Sequence, residues 1–121
     1  MVICNFAVVS FPYLGGSITT ITDNRSFLFS LVNPSGTKPL KIGPIPEASG
    51  GIRCQRDLGP TFGSDKNFDL RVHQKDNLGY FVGDLNLGNG FMCPQKAEKR
   101  TFFTGKSPFE ISVLEVFLID F

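Results

Sequence analysis

Glycine and proline interrupt this 121-residue chain so often that no stretch of ten or more residues keeps the 3.6-residue apolar period of a helix. There are 13 glycines and 8 prolines, 21 together, and they follow no repeat. The short runs between them are rich in β-branched and aromatic residues, which favours strands joined by turns. Thirteen phenylalanines and no tryptophan predict a core of flat apolar rings. We therefore expect one mainly β domain over residues 1–121, most simply two packed antiparallel sheets.

Charge and cysteine content narrow the classes of partner and compartment. Twelve basic against eleven acidic residues leave a formal charge of +1, so nucleic acid and anionic membrane surfaces are poor partners. No apolar run approaches the roughly 18 residues that a membrane-spanning helix needs. Three cysteines, an odd number in a chain of this length, favour a reducing compartment, and we expect a cytoplasmic protein.

Residues 59–73, GPTFGSDKNFDLRVH, form the stretch around which we expect the fold to be organised. Gly59 and Pro60 supply a bend, and Phe62 supplies an apolar anchor for the turn. Gly63 is expected to be free to take a positive φ. A turn held by a buried aromatic ring and followed by a charged strand is a suitable place for a specific surface.

The second half of this stretch has the two-residue period of a strand with one buried face. We expect the apolar set to face the core, and its members are Phe68, Leu70 and Val72. We expect the polar set to face water or a partner, and its members are Asp69, Arg71 and His73.

Short apolar runs predict further strands at residues 2–11, 17–22, 26–33 and 52–55. The run at 26–33 is apolar on both faces, so we expect it to be covered on both sides. The prolines of residues 38–46 limit that segment to an edge strand or an extended connection. Residues 76–90 are glycine-rich and are predicted to be loop, while residues 96–100 are either a helical turn or a solvated loop.

The last thirteen residues, 109–121, are apolar on both faces of an extended chain and are predicted to form a central strand. Glu115 breaks this pattern, because a carboxylate is costly to bury without a partner. It must be exposed, protonated, or paired with a base such as Arg53 or Arg71. A carboxylate among apolar residues is also a group whose pKa can be raised, so Glu115 is a candidate for acid–base chemistry, with a structural ion pair as the alternative.

The cysteines offer a second candidate for chemistry. Cys93 lies in a predicted loop near Lys96 and is the candidate for an exposed redox-sensing thiol, with an inert thiol as the alternative. Cys54 is predicted to be interior. A nucleophilic set of Cys54, His73 and Asp69 is not expected, because Asp69 and His73 are about 13 Å apart along one strand.

Neither a metal site nor a cofactor site is expected. Cys4, Cys54 and Cys93 are far apart in sequence, and no CxxC or HxxxH pair is present. Gly88 and Gly90 lie in LGNG, but no Lys-Ser/Thr pair follows and no helix is predicted there. We therefore interpret LGNG as a flexible loop rather than a phosphate cradle.

Three segments together resemble the TLDc domain family, whose domains are found at the C-terminus of oxidation resistance proteins and in relatives such as the interferon-induced 44-like proteins. The segments are SFLFSLVN at 26–33, GPTFGSDKNFDLRV at 59–72 and FFTGKSPFEISVLEVFLI at 102–119. The resemblance covers about residues 17–121. The family's domain has an upstream portion that this chain lacks, so the resemblance implies an N-terminally incomplete TLDc-like domain.

The resemblance implies a two-layer antiparallel β-sandwich with short helices. It also implies a role in protection from oxidative stress, through binding to and regulation of the vacuolar proton-pumping ATPase. The positions that match the family's motif or its recurrent glycines and acids are Gly59, Pro60, Phe62, Gly63, Asp69 and Glu115.

Two functions of different classes follow from these observations. The first is a non-catalytic protein-interaction module that docks on a partner, such as a vacuolar ATPase subunit, through residues 59–69 and neighbouring loops. The alternative is a redox-reactive or acid–base enzyme that uses Cys93 or Glu115. A third reading is a truncated piece of a larger product, which predicts poor solubility of the isolated chain.

Overall fold

The computed structural model describes residues 19–22, 26–48, 51–54, 59–64, 67–75 and 80–115. They form eight strands, namely β1 (Thr19–Thr22), β2 (Leu28–Ser30), β3 (Leu40–Ile42), β4 (Gly51–Cys54), β5 (Thr61–Gly63), β6 (Phe68–Gln74), β7 (Phe81–Leu85) and β8 (Phe109–Ile111). A 3-10 helix spans Pro46–Ala48. No helix in these ranges is long and apolar enough to cross a bilayer.

The strands form two antiparallel sheets. The large sheet has six strands in the order β1-β4-β5-β6-β7-β8, and the small sheet pairs β2 with β3. β1 and β8 are therefore the outer strands of the large sheet as described. The prediction of a mainly β fold built from antiparallel sheets is confirmed.

One apolar cluster draws residues from both sheets and from the segments that follow β7. Leu28 and Ile42 come from the small sheet, and Ile52, Phe62 and Leu85 come from the large sheet. The later segments contribute Leu87, Phe91, Phe102 and Phe103. The rings of Phe62 and Phe91 meet edge to face, with centroids 6.4 Å apart, as the phenylalanine-rich composition predicts.

A β-bulge lies between β5 and β6 and changes which side chains face the core. Phe62 pairs with Leu70 while Gly63 pairs with Phe68, so Asp69 is the extra residue of β6. Asp69 is fully buried, and the Arg71 guanidinium lies 4.3 Å from the centre of the Phe68 ring. The prediction that Phe68 faces the core and Asp69 faces water is therefore wrong, because the bulge inverts the alternation at these two positions.

Several strand predictions from local pattern are confirmed. β1, β4 and β6 lie within one or two residues of the predicted segments 17–22, 52–55 and 68–73. β3 lies within residues 38–46 and pairs only with β2 among the described residues, as expected of an edge strand. Residues 96–100 form turns rather than a helix. The strand predicted at residues 2–11 lies outside the described residues.

Two predictions about strands in the middle of the chain are wrong for the described residues. The strand at 26–33 is limited to Leu28–Ser30, and Leu31 and Val32 after it are each 62% exposed. The predicted loop at 76–90 contains β7, which pairs with β6 on one side and β8 on the other. Glycine content obscured β7 because Gly83 lies inside it, directly opposite Phe109.

The prediction of a central strand over residues 109–121 is also wrong for its described part. β8 has three residues and pairs only with β7 in that part of the chain. Residues 112–115 are not in a strand, and Val113 is 73% exposed. An apolar run does not by itself secure a second neighbouring strand, because pairing depends on residues distant in sequence. Residues 116–121 lie outside the described ranges.

Candidate functional site: a buried carboxylate and the loop that it holds

Asp69 is the centre of a buried site in which a carboxylate binds the backbone of a loop from another part of the chain. Its Oδ1 accepts a hydrogen bond from the backbone amide of Asn89 at 2.9 Å, and its Oδ2 accepts one from the amide of Gly90 at 2.6 Å. The two donors belong to residues 86–92, which follow β7 and which we call the bridging loop. Successive backbone amides that converge on one anion form an anion-binding concavity, and here the anion is a side chain of the same chain.

The side chain of Asn89 fixes the loop from the opposite direction. Its Nδ2 donates to the carbonyl oxygens of Phe68 at 2.9 Å and Asn86 at 2.8 Å. The amide of Asn86 in turn donates to the carbonyl oxygen of Asp69 at 2.7 Å. The bulged segment of β6 therefore holds the loop through both main-chain and side-chain atoms.

The other side of the bridging loop is bonded to the chain that follows β3. Gly90 accepts a hydrogen bond from the amide of Ile45 at 2.8 Å, and the amide of Met92 donates to Gly43 at 3.0 Å. Pro44 and Phe91 form an isolated antiparallel bridge between these bonds. Because β3 belongs to the small sheet and β6 to the large one, the loop connects the two sheets.

Glycine is required where the loop meets the bulge. A Cβ on Gly90 would overlap the backbone of Gly63 and Ser64, and a Cβ on Gly63 would overlap the backbone of Asn67 and Phe68. Gly63 does not adopt the left-handed φ that the sequence suggested, so that expectation is wrong. Its physical role is to let two backbone segments approach closely.

Burial and hydrogen bonding act on Asp69 in opposite directions. Removal of water raises the pKa of Asp69, while the backbone amides of Asn89 and Gly90, followed by those of Phe91 and Gly88, lower it, and the net result is a pKa of about 6. The carboxyl group therefore changes charge close to neutral pH while it holds the bridging loop.

The residues of the predicted motif are brought together, but mostly inside the fold. Phe62, Gly63 and Asp69 are buried, and Phe62 is 3% exposed, so its predicted role as an apolar anchor is confirmed. Gly59 and Pro60 are half-buried, and a Cβ on Gly59 would lie 2.7 Å from the carbonyl oxygen of Val72. These residues are packed within the fold and hold the strands in place.

Glu115 lies apart from this site. It is exposed after β8. Of the three alternatives for Glu115, exposure is the one observed, and pairing with Arg71 is not, because Arg71 instead donates to Oδ2 of Asp84 at 3.0 Å. The side chain of Arg53, the other predicted partner, lies outside what the structure describes.

Cys93 directly follows the bridging loop and is half-buried. Its Sγ lies 3.7 Å from the carbonyl oxygen of Ala97, which accepts its weak hydrogen bond. Burial raises the pKa of the Cys93 thiol, and the nearby Lys99 ammonium opposes this. A raised pKa is the reverse of what a reactive thiol requires. Cys4 and the side chain of Cys54 lie outside what the structure describes.

The outward face of β6 and β7 carries a second polar cluster, which sequence reasoning did not find. Asp84 lies directly opposite Arg71 and also meets His73, whose Nε2 is 3.0 Å from Asp84 Oδ2. Partial burial works against ionisation of Asp84, but hydrogen bonds and charges from Arg71 and His73 outweigh it and lower the pKa of Asp84. The side chains of Arg71, His73 and Asp84 are between 20% and 32% exposed, so the cluster is a surface ion-pair network.

Within the described ranges, no group of three or more histidine, cysteine, aspartate or glutamate side chains could hold a metal ion. The site is therefore described by its backbone amides and one carboxylate. The backbone amides bind the carboxylate of Asp69, an anion of the same chain, and this contact joins the two sheets.

Fold and site together define a mainly β protein whose two sheets are connected through a buried aspartate. Comparison of the chain with protein-family models, with curated proteins and with solved structures finds no significant match.

Proposed function

We propose that the protein is a non-catalytic protein-interaction module of the TLDc type. In this proposal it binds subunits of the vacuolar proton-pumping ATPase, regulates that enzyme and contributes to protection from oxidative stress. The resemblance of residues 26–33, 59–72 and 102–119 to the TLDc family motivates the partner and the pathway. The antiparallel β fold is of the kind that the resemblance implies.

The observation that carries the proposal is a set of exposed apolar residues near the paired ends of β7 and β8, which we call the apolar patch. Phe81 pairs across the strands with Ile111 and is 39% exposed. Tyr80 precedes it and is 38% exposed, and Val113 lies two residues beyond Ile111 and is 73% exposed. Aromatic and aliphatic side chains that cluster at the surface are typical of protein-binding sites.

The test is binding of the purified chain to purified peripheral subunits of the vacuolar ATPase, with two matched variants. Val113→Asp places a charge in the patch and is expected to weaken binding by about tenfold or more, because an unpaired charge must lose water in the interface. Val32→Asp makes the same change at a valine that is 62% exposed in the turn after β2, and is expected to leave binding unchanged.

Two results would contradict the proposal. If the wild-type protein bound none of the subunits at micromolar concentration, the vacuolar ATPase would not be its partner. If both valine variants lost affinity equally, the apolar patch would not be the binding surface, because the effect would then follow from charge alone.

A further inference from the structure

The bridging loop contains an Asn-Gly sequence at Asn89 and Gly90, and no other asparagine in the chain precedes a glycine. The residues after the remaining asparagines are larger: Phe6, Arg25, Pro34, Phe68, Leu78 and Leu87. A glycine without a Cβ leaves its backbone nitrogen free to approach the preceding side chain, because nothing shields it. Asn89 is therefore the asparagine with the greatest intrinsic tendency to deamidate.

We propose that Asn89 is a spontaneous deamidation site that the folded bridging loop protects, and that deamidation there releases the loop from Asp69. In the reaction the Gly90 nitrogen gives its proton to solvent hydroxide and attacks Cγ of Asn89. A new C–N bond forms, the bond from Cγ to Nδ2 breaks, and ammonia leaves. Water then opens the resulting succinimide to aspartate or isoaspartate, so that one amide and one water become one carboxylate and one ammonium.

The described contacts oppose each part of this reaction. The Gly90 amide proton is directed to Asp69 Oδ2 at 2.6 Å, and Gly90 is packed against the backbone of Gly63. The Asn89 amide group is held by the carbonyl oxygens of Phe68 and Asn86 at 2.9 and 2.8 Å. Closure of the succinimide ring must break these bonds, so the reaction requires the loop to open first.

The product cannot restore the same contacts. A carboxylate at position 89 presents an acceptor oxygen where Nδ2 donated, and it faces the carbonyl oxygens of Phe68 and Asn86. It also adds a negative charge beside the carboxylate of Asp69, which already bonds the amide of Asn89. Isoaspartate also lengthens the backbone, so the amides of residues 89 and 90 can no longer both align with the carboxylate of Asp69.

The first test follows deamidation at position 89 by peptide mass mapping of the full chain at neutral pH. Residue 89 is expected to react at least about tenfold more slowly in the folded chain than in urea, because reaction waits for local opening. Asp69→Ala is expected to move the rate under folding conditions towards the rate in urea. Equal rates for the folded and the urea-unfolded wild-type chain would overturn the proposal, and this comparison does not depend on whether the variant folds.

The second test uses Asn89→Asp, which is the direct product, and Asn67→Asp as its charge-matched control. Asn67 is exposed and bonds Ser64 through its backbone rather than its side chain. Asn89→Asp is expected to lower the melting temperature by about 5 °C or more, and Asn67→Asp to leave it unchanged. Equal melting temperatures for the two variants would show that the product is accommodated and would overturn the second half of the proposal.

Discussion

Asp69 acquires its role from a single irregularity in the backbone. The two-residue period of residues 68–73 correctly predicts a strand, and it correctly places Leu70 and Val72 apart from Arg71 and His73. It fails at Phe68 and Asp69, because the bulge opposite Gly63 shifts the register by one residue. Register depends on the partner strand, so the sequence of β6 alone could not show it. Two features of the sequence could have indicated this site, namely the glycine at position 63 and the Asn-Gly pair of the bridging loop.

Below about pH 6, where Asp69 is protonated, Asp69→Asn is expected to destabilise the folded protein by about 1–3 kcal/mol, because the amide nitrogen cannot accept a hydrogen bond from the backbone donor that it faces. The fold should persist, since the volume of the side chain is nearly conserved. Urea denaturation monitored by circular dichroism measures the change in the free energy of unfolding. An unchanged free energy in this pH range would show that the two amide bonds to Asp69 contribute nothing.

The pH dependence of stability separates Asp69 from an ordinary surface carboxylate. Its pKa is raised from 3.8 to about 6 in the folded protein, so the folded state binds a proton more tightly than the unfolded chain. The stability that this tighter proton binding contributes to the folded state is fully present below pH 3.8 and is lost as the pH rises through about 6. Asp69→Asn should remove this loss.

Asp84→Asn is the matched control, since it makes the same substitution on the outward face. The pKa of Asp84 is lowered in the folded protein, so its contribution has the opposite sign: it is present above the unfolded pKa and is lost as the pH falls through the folded value. The two variants should therefore differ from wild type in opposite directions across acidic pH. Parallel profiles for wild type and Asp69→Asn would contradict the account of Asp69.

At the scale of elements, strands with clear local alternation were predictable, while those defined by pairing were not. β1, β4 and β6 follow from their own residues. β7 was missed because Gly83 and Asp84 are unfavourable in an isolated strand, yet pairing with β6 and β8 outweighs this preference. The exposed end of residues 109–115 was missed for the related reason that an apolar run does not specify its neighbours.

The contact between β7 and β8 predicts a non-additive pair of substitutions. The ring of Phe109 occupies the space over Gly83 in which a Cβ would lie, so Gly83→Ala should destabilise the protein by about 1–3 kcal/mol. In a Phe109→Ala background the ring is absent, and the same glycine substitution should cost little. A double-mutant cycle in urea measures this coupling directly.

Gly43→Ala is the control for the general effect of adding a methyl group. Its Cβ would have no heavy atom within 4 Å, and the φ of Gly43 is not in the left-handed region. It should leave stability nearly unchanged. If the Gly83 and Phe109 substitutions instead add independently, β8 does not pack on β7 as described.

At the scale of the whole molecule, the bridging loop explains how a small and a large sheet form one core. Its amides bind Asp69 on the large sheet, its Gly90 oxygen and Met92 amide bind the chain after β3, and Phe91 fills the space between them with no exposed surface. The sequence allowed the β class and the anchoring role of Phe62 to be predicted. It did not allow this connection to be predicted, because the LGNG segment alone does not show that its backbone amides bind Asp69, which is distant in sequence.

The most direct test of this account is amide hydrogen exchange of the folded chain, resolved by residue with NMR. The amides of Asn89, Gly90 and Met92 are predicted to be protected to the same degree as those of the paired strands β6 and β7, because the loop opens only when the two sheets separate. The amide of Arg100, an exposed turn residue whose amide donates to Oε1 of Glu98 at 3.5 Å, serves as the reference for a surface turn. Exchange of the Asn89 and Gly90 amides as fast as that of Arg100 would contradict the account, since Asp69 would then hold no loop.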